Sequence, residues 1–136
     1  MANTKGQIFG INGPVVKVKG SDSFEMQEMV YVGNEELIGE VIGVTSDTTI
    51  VQVYEETTGL KKGEPVVGTG GPLSITLAPG ILSDIFDGIE RPLKEIRNMS
   101  GSFIGRGLKV TNLDERKTWN VEMVAKQGDY VTGGEI

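Results

Sequence analysis

Short runs of β-branched residues, separated by turn residues about every ten positions, occupy residues 6–70. Residues 15–19 are the clearest run, because valines and lysines alternate there and would give a strand one apolar and one polar face. Gly39 and Gly43 interrupt a later run, as is typical of a bulge or a sharp bend at the corner of a barrel. We therefore expect a small closed barrel. Its six predicted strands are residues 7–11, 15–19, 29–32, 37–45, 49–54 and 64–67.

The spacing of apolar residues lengthens in residues 68–93 to between three and five positions. Pro79 suits the first position of a helix, where its missing N–H needs no partner, and Gly88 and Pro92 are typical of a helix end. We expect a short helix over residues 79–87, packed by one apolar face. That face would consist of Leu77, Ile81, Leu82, Ile85, Phe86 and Ile89.

Beyond the predicted helix the hydrophobic and polar residues follow a less regular pattern. Residues 96–103 indicate a connector, and residues 114–117 indicate a charged hairpin loop. Further short strands are predicted at residues 107–110, 119–124 and 128–136. The last of these would only be beginning where the sequence stops. We therefore expect an incomplete β-rich segment, with residues 118–136 less well packed than the barrel.

The whole chain is thus predicted to be mainly β, with a closed six-stranded Greek-key barrel, one short helix and an incomplete β-rich segment. Its 136 residues are enough for a domain with a real core. The expected parts are a barrel domain at residues 1–70, a connector containing the helix at residues 71–106, and the incomplete segment at residues 107–136.

Composition removes several classes of chemistry. The chain has no cysteine and no histidine, which excludes disulfides, thiolate nucleophiles, imidazole catalysis and the usual zinc sites. A net charge of −6, with acidic and basic residues interleaved, argues against binding to nucleic acid or to an anionic membrane surface. The sequence contains neither a signal peptide nor a run of about 20 apolar residues, so we expect no membrane insertion and an intracellular location.

Glycines and paired carboxylates are the first candidates for chemistry. Residues 68–71 and 105–107 complete neither a P-loop nor a dinucleotide-binding motif, so their glycines indicate turns. The acidic pairs stand in or beside predicted strands, where successive side chains point to opposite faces. We interpret them as solvated surface residues. These pairs are Glu35-Glu36 and Glu55-Glu56.

Four further side chains have mainly structural interpretations. Asp84 and Asp87 would share a face of the predicted helix with Arg91 close behind, which favours a surface ion pair or a capping role over catalysis. Trp119 alternates with apolar neighbours and is expected to pack in a core or an interface. Glu40 is interpreted as facing water on the barrel surface, and the alternative is that it contacts a neighbouring protein of an assembly. No catalytic, cofactor-binding or metal-binding residue is assigned.

Four long segments resemble a single family. Their sequences are GQIFGINGPVVKVKG, LIGEVIGV, TTIVQVYEETTGLKKGEPVVGTG and PLSITLAPGILSDIFDGIERPL. They resemble the amino-terminal portion of the catalytic A (alpha) subunit of V/A-type rotary ATPases and ATP synthases, and the likeness runs almost continuously over residues 6–136. Residues 86–93, FDGIERPL, and residues 105–136, which resemble the start of the bulge insertion of A subunits, favour the A subunit over the B and bacterial-type beta subunits. Gly71 departs from many relatives, which carry a larger or charged residue there.

The resemblance implies a barrel that joins its neighbours in a crown at the top of an A3B3 hexamer of A and B subunits. It also implies a bulge that contacts the peripheral stalk, and a cytoplasmic complex peripheral to the membrane. In the parent subunit, Mg-ATP or ADP binding is coupled to transport of H⁺ or Na⁺. The family's P-loop and catalytic glutamate lie beyond the end of this sequence, so we expect no cofactor and no catalysis in this chain alone.

Two other interpretations stay open at this point. The glycine turns of residues 128–129 and 133–135 are similar to those in half of a biotinyl or lipoyl carrier domain, although Lys117 and Lys126 lack the flanking residues of a modified lysine. A stand-alone ligand-binding barrel would also fit the fold class, although the chain has few aromatic residues and an acidic balance.

Overall fold

A closed barrel of six antiparallel strands forms the body of the protein. The structure is a computed structural model that describes residues 5–20, 24–82, 84–114 and 116–134. The barrel strands are β1 (Lys5–Asn12), β2 (Val15–Lys19), β3 (Glu28–Val32), β4 (Leu37–Val44), β5 (Thr49–Val53) and β6 (Pro65–Pro72). The prediction of six strands in a small closed barrel is confirmed.

Around the barrel the strands follow the order β1-β2-β5-β4-β3-β6. Strands β3, β4 and β5 form a consecutive meander, and β2 lies beside β5, which is the arrangement of a Greek key. Strand β6 closes the ring because it pairs with β1 on one side and β3 on the other. It continues to Pro72, five residues beyond the predicted end at residue 67, since its glycine-rich second half still pairs with β3.

Inward-facing aliphatic side chains fill the barrel. In β2, Val16 and Val18 are buried while Lys17 and Lys19 are exposed, as the alternation predicted. Each fully buried valine or leucine contributes about 1.5–3 kcal/mol relative to an exposed one. The buried cluster consists of Ile8, Val16, Val18, Phe24, Val30, Val32, Leu37, Val41, Val51, Val53 and Val66.

Both glycines of β4 have the structural role that the sequence indicated. The register between β4 and β5 shifts between Val41 and Gly43, which places a bulge there. At Gly39 the neighbouring strand comes so close that a Cβ atom would lie 2.9 Å from the carbonyl oxygen of Gln52 and 2.9 Å from Cγ1 of Val51. Gly39 therefore permits an approach that a larger residue would prevent.

The predicted helix over residues 79–87 is wrong. Among the described residues of this stretch only a 3₁₀ turn, Pro79–Ile81, forms, and an α-helix, α1, follows at Leu93–Ser100. The predicted apolar face is not packed as one surface, because three of its members are half-buried and three are exposed: Leu77, Leu82 and Ile85. Pro92 precedes the first residue of α1 and so marks the start of a helix, not the end of one.

Helix α1 lies in the stretch interpreted as a connector. It buries Ile96 and is followed by Gly101, whose φ of 77° lies in the left-handed region. The sequence signal was weak because one buried side chain in eight residues gives little periodicity.

The predicted strands at residues 107–110, 119–124 and 128–134 are also wrong, since none of these residues forms a strand. The end of the last predicted strand, residues 135–136, lies outside the described residues. Strands need a ladder partner, and among the described residues these segments have none. The charged loop is a turn, in which the amide of Lys117 donates to the carbonyl of Asp114 at 3.1 Å. Residues 116–134 are exposed throughout, which agrees with the prediction that residues 118–136 pack less well than the barrel.

Replacing Gly39 by alanine should destabilise the barrel. The added methyl group meets a backbone carbonyl that cannot move without disturbing β5, so we expect the free energy of unfolding to fall by about 1–3 kcal/mol. Gly43→Ala is the matched control, because its Cβ would meet only Ile50 side-chain atoms at 3.5 Å or more. There we expect no loss, or a gain of up to about 1 kcal/mol from the stiffer unfolded chain. Urea unfolding of both variants measures the difference, and equal stabilities would contradict the explanation.

Candidate functional site

Glu55 lies just beyond β5 and joins three parts of the chain. Its side chain is only 6% exposed. One carboxylate oxygen accepts a hydrogen bond from the amide of Ile38 at 3.3 Å, and the other accepts from Nη1 of Arg91 and the amide of Gly107, both at 2.9 Å. The interpretation of Glu55 as a solvated surface residue is therefore wrong. Its neighbour Glu56 is exposed as predicted and accepts hydrogen bonds from Thr58.

Asp87 holds Arg91 from the other side. Its carboxylate accepts from Nε of Arg91 at 2.7 Å, and from the amides of Ile89 at 3.0 Å and Arg91 at 2.9 Å. Burial opposes the charged form of Asp87, but the hydrogen bonds and positive charge of Arg91 outweigh it and lower the pKa of the carboxyl. The predicted ion pair is confirmed, although it occurs in a partly buried turn and not on a helix surface. The alternative of a capping role is not, because α1 begins after Pro92 and has no side-chain cap.

Asp84 does not share this arrangement. It pairs with Lys94 of α1, with 2.6 Å between Oδ1 and Nζ, and the hydrogen bond from Lys94 lowers the pKa of Asp84. Because residues 84–87 are not helical, the two aspartates that spacing placed on one face serve different partners.

Glu35 and Glu36 lie in the turn between β3 and β4 and are exposed, as predicted. Glu35 accepts from Nη2 of Arg106 at 2.6 Å, and Glu36 pairs with Lys109. Since β5 runs antiparallel to β4, this turn and Glu55 are at the same end of the barrel. We call Glu35, Glu36 and Glu55 the acidic end of the barrel; its partners are Arg91, Arg106 and Lys109.

Two buried carboxylates were missed by the sequence reasoning. Glu28 begins β3 and accepts from the amides of Glu25 and Gly70, both at 2.9 Å. Glu90 accepts from the amide of Thr76 and from Nδ2 of Asn112, both at 3.0 Å. Neither position carries a signal in the sequence, since Gly70 is 42 residues from Glu28, and the partners of Glu90 are 14 and 22 residues from it. All buried side-chain nitrogen and oxygen atoms of the described residues have hydrogen-bond partners.

The outside of β3, β4 and β5 carries a largely apolar surface, which we call the outer face: Tyr31, Ile38, Glu40, Ile42, Ile50, Gln52 and Tyr54. Glu40 is half-buried on this face, so it lies on the barrel surface as interpreted, and its contact with another protein of an assembly stays a prediction. Tyr54 donates its hydroxyl hydrogen to Glu40. That hydrogen bond, with burial and the negative charge of Glu40, raises the pKa of Tyr54 to about 12.

Trp119 is 41% exposed, and Nζ of Lys117 lies 4.4 Å from the centre of its ring. Packing in a core is therefore not observed, and packing in an interface stays a prediction.

The glycine-rich stretches are strand and turn. Residues 68–71 belong to β6, and Gly107 has a φ of 64° in a turn. Within the described part of the chain, no group of three or more acidic side chains could hold a metal ion. The same residues include no helix long and apolar enough to cross a membrane.

Comparison with known proteins identifies the family of the barrel. Residues 8–70 match the family model described as the ATP synthase alpha/beta family, beta-barrel domain. The barrel belongs to this family. Residues 8–70 include nearly all of the six strands, so the match agrees with the observed closed barrel.

The similarity extends well beyond the barrel. The chain is 50% identical over 131 residues, 96% of its length, to V-type ATP synthase alpha chain 2 of Clostridium tetani. It is 52% identical over 132 residues, 97% of its length, to the V-type ATP synthase alpha chain of Halothermothrix orenii. It is 51% identical to the A subunit of the A-type ATP synthase of Methanopyrus kandleri over an alignment of 137 positions that covers the whole chain. The resemblance to A subunits is confirmed. The aligned part is 22–23% of each relative, so the chain spans less than a quarter of their length.

Tyrosine titration tests the pair on the outer face. We expect the absorbance of tyrosinate to show one component near pH 12 that Tyr54→Phe removes and that Glu40→Gln moves towards the ordinary value of 10.0. Because the folded state holds this proton more tightly than the unfolded state, the free energy of unfolding should fall as pH rises from 10.0 to about 12. Glu56→Gln, which removes an exposed carboxylate without contact to Tyr54, should change nothing. A titration unaffected by Glu40→Gln would rule out the proposed cause.

Proposed function

We propose that this chain is an assembly and scaffold segment of the A subunit of an A-type or V-type ATP synthase. The observation that carries the proposal is the combination of the family barrel with about 50% identity to A subunits over almost the whole chain. Coupling of ATP hydrolysis or synthesis to H⁺ or Na⁺ transport, and the Mg-ATP or ADP this needs, would belong to the whole subunit in its complex. Such a complex would lie in the cytoplasm, peripheral to the membrane.

The geometry suggests how the barrel would act. A closed barrel presents no open strand edge, so it cannot associate by adding a strand and must use its outer side chains. On the outer face, apolar side chains surround the hydrogen-bonded pair of Tyr54 and Glu40. The cores of protein–protein interfaces have a similar composition, largely apolar with a few paired polar groups. We propose that the outer face packs against barrels of neighbouring A and B subunits in an A3B3 hexamer. Residues 116–134 would contribute to contact with the peripheral stalk.

The two other interpretations gain no support. The carrier hypothesis rests on glycine turns in residues 128–135, and the similarity to A subunits covers this region as well. A stand-alone barrel would leave the similarity of residues 71–134 unexplained.

The assembly role predicts binding to a B subunit. Fluorescence anisotropy of the labelled chain, titrated with purified B subunit of a similar A-type complex, should show saturable binding. Ile42→Asp places an unpaired charge on the outer face, so we expect affinity to fall about tenfold or more. Ile75→Asp is the control, because Ile75 is similarly exposed but lies outside the barrel. Absence of binding, or equal losses in both variants, would contradict the proposal.

The scaffold role also predicts that the chain alone does not bind nucleotide. Isothermal titration with Mg-ATP should show no saturable heat, whereas a complete A subunit measured in parallel should show it. Binding in the micromolar range by this chain would show that it carries a nucleotide site of its own and would overturn the proposed role.

A further inference from the structure

The residues that follow the barrel are held to it by polar groups. At the acidic end, Glu55 binds Arg91 of the connector and the amide of Gly107 beyond α1. Glu35 and Glu36 bind Arg106 and Lys109 of the same later segment. Three acidic side chains of the barrel therefore face three basic side chains of the chain that crosses its end.

Only one of these three pairs is buried. The side chains of Glu55 and Arg91 are 6% and 11% exposed, whereas the Glu35–Arg106 and Glu36–Lys109 pairs are 32% exposed or more on each side. Exposed pairs contribute little, because solvent screens them and two long side chains must be ordered. Removing one partner of a buried pair costs far more, because it leaves the other charge buried without its counterion. Glu55 therefore dominates the attachment.

The apolar cores of the two parts are separate. The buried cluster of the barrel contains no residue beyond Val66, and Ile96 of α1 is buried outside it. A depression of about 710 Å³ also separates the barrel surface from the connector, and its lining includes Tyr31, Val67, Ile89 and Arg91. The barrel can therefore keep its core when the connector moves away.

The connector itself is organised as a unit. Asp87 binds Arg91 and two amides of its own turn, and the amide of Leu93 donates to the carbonyl of Ile85 at 2.9 Å. Glu90 ties this turn to Thr76 and Asn112. Arg91 is thus held in place by Asp87 whether or not Glu55 binds it.

We propose that Glu55 and Arg91 form a latch that fixes the segment of residues 85–112 against the barrel and that can open while the barrel stays folded. Closed, the latch makes barrel and connector one rigid unit and sets the direction in which the chain leaves the barrel. Open, it lets residues 85–112 turn away as a second unit. The proposal does not depend on the assembly role, since it concerns contacts within this chain.

Hydrogen exchange of the full chain tests the latch with a matched pair of variants. Glu55→Gln removes the charge that binds Arg91, and Glu56→Gln removes the exposed charge beside it. In Glu55→Gln we expect the amide of Gly107, which donates to Glu55, to exchange about tenfold faster or more. The amide of Leu93, which is bonded within the connector, and the amides of β2 and β5 should keep their rates. Glu56→Gln should match the unmodified chain. Unchanged exchange at residues 85–112, or equal acceleration of the barrel amides, would overturn the proposal.

A second pair of variants separates a latch from a general loss of folding. Arg91→Gln breaks the same contact from outside the barrel, so it should reproduce the exchange pattern of Glu55→Gln. Because both changes open the same contact, the double variant should exchange no more than about twofold faster than either single variant. Independent changes would instead multiply their two accelerations of exchange. A multiplicative effect would mean that the two residues act independently, and no latch exists.

Discussion

Closure of the six-stranded sheet is the constraint on which the rest of this structure depends. Strand β6 must reach both β1 and β3, so every strand is hydrogen-bonded on two sides and the sheet has to curve fully around a small interior. Gly39 allows the close strand approach that this curvature requires, and the bulge at Gly43 bends β4. The interior is then filled by side chains of the barrel itself, most of them valines.

A filled, closed barrel limits how the remaining chain can attach. No later residue can enter the core, and no strand can be added to an edge, so contact has to be made by side chains on the outside and at the ends. In this protein the contact includes three ion pairs. Glutamates at one end of the barrel meet basic residues of the chain that crosses it, and the single well-buried pair, Glu55 with Arg91, also takes the amide of Gly107. On the outer face, Ile42 and Tyr54 stay accessible, at 44% and 41% exposed.

The sequence predicted what depends on local alternation and missed what depends on distant partners. All six strands followed from runs such as residues 15–19, because a two-residue period identifies a half-buried strand without knowledge of its neighbours. The predicted helix position was wrong because half of the apolar residues in 77–89 stay exposed and do not form one packed face, whereas α1 buries a single residue, Ile96. Glu55 and Glu56 are neighbours of the same type, and only the position of Arg91 decides that one is buried and the other is not.

The turn before α1 shows that the connector has a defined shape and is not a loose linker. Glu90 has a φ of 62°, a left-handed conformation that costs a non-glycine residue about 1–3 kcal/mol unless its surroundings impose it. Here the surroundings do so, because the buried carboxylate of Glu90 accepts two hydrogen bonds and its amide donates to the carbonyl of Asp87 at 3.2 Å. Strain of this kind persists only where neighbouring contacts fix the backbone. The turn therefore keeps its shape, so a change in the angle between the barrel and residues 85–112 would break the contact between Arg91 and Glu55 and leave the turn itself intact.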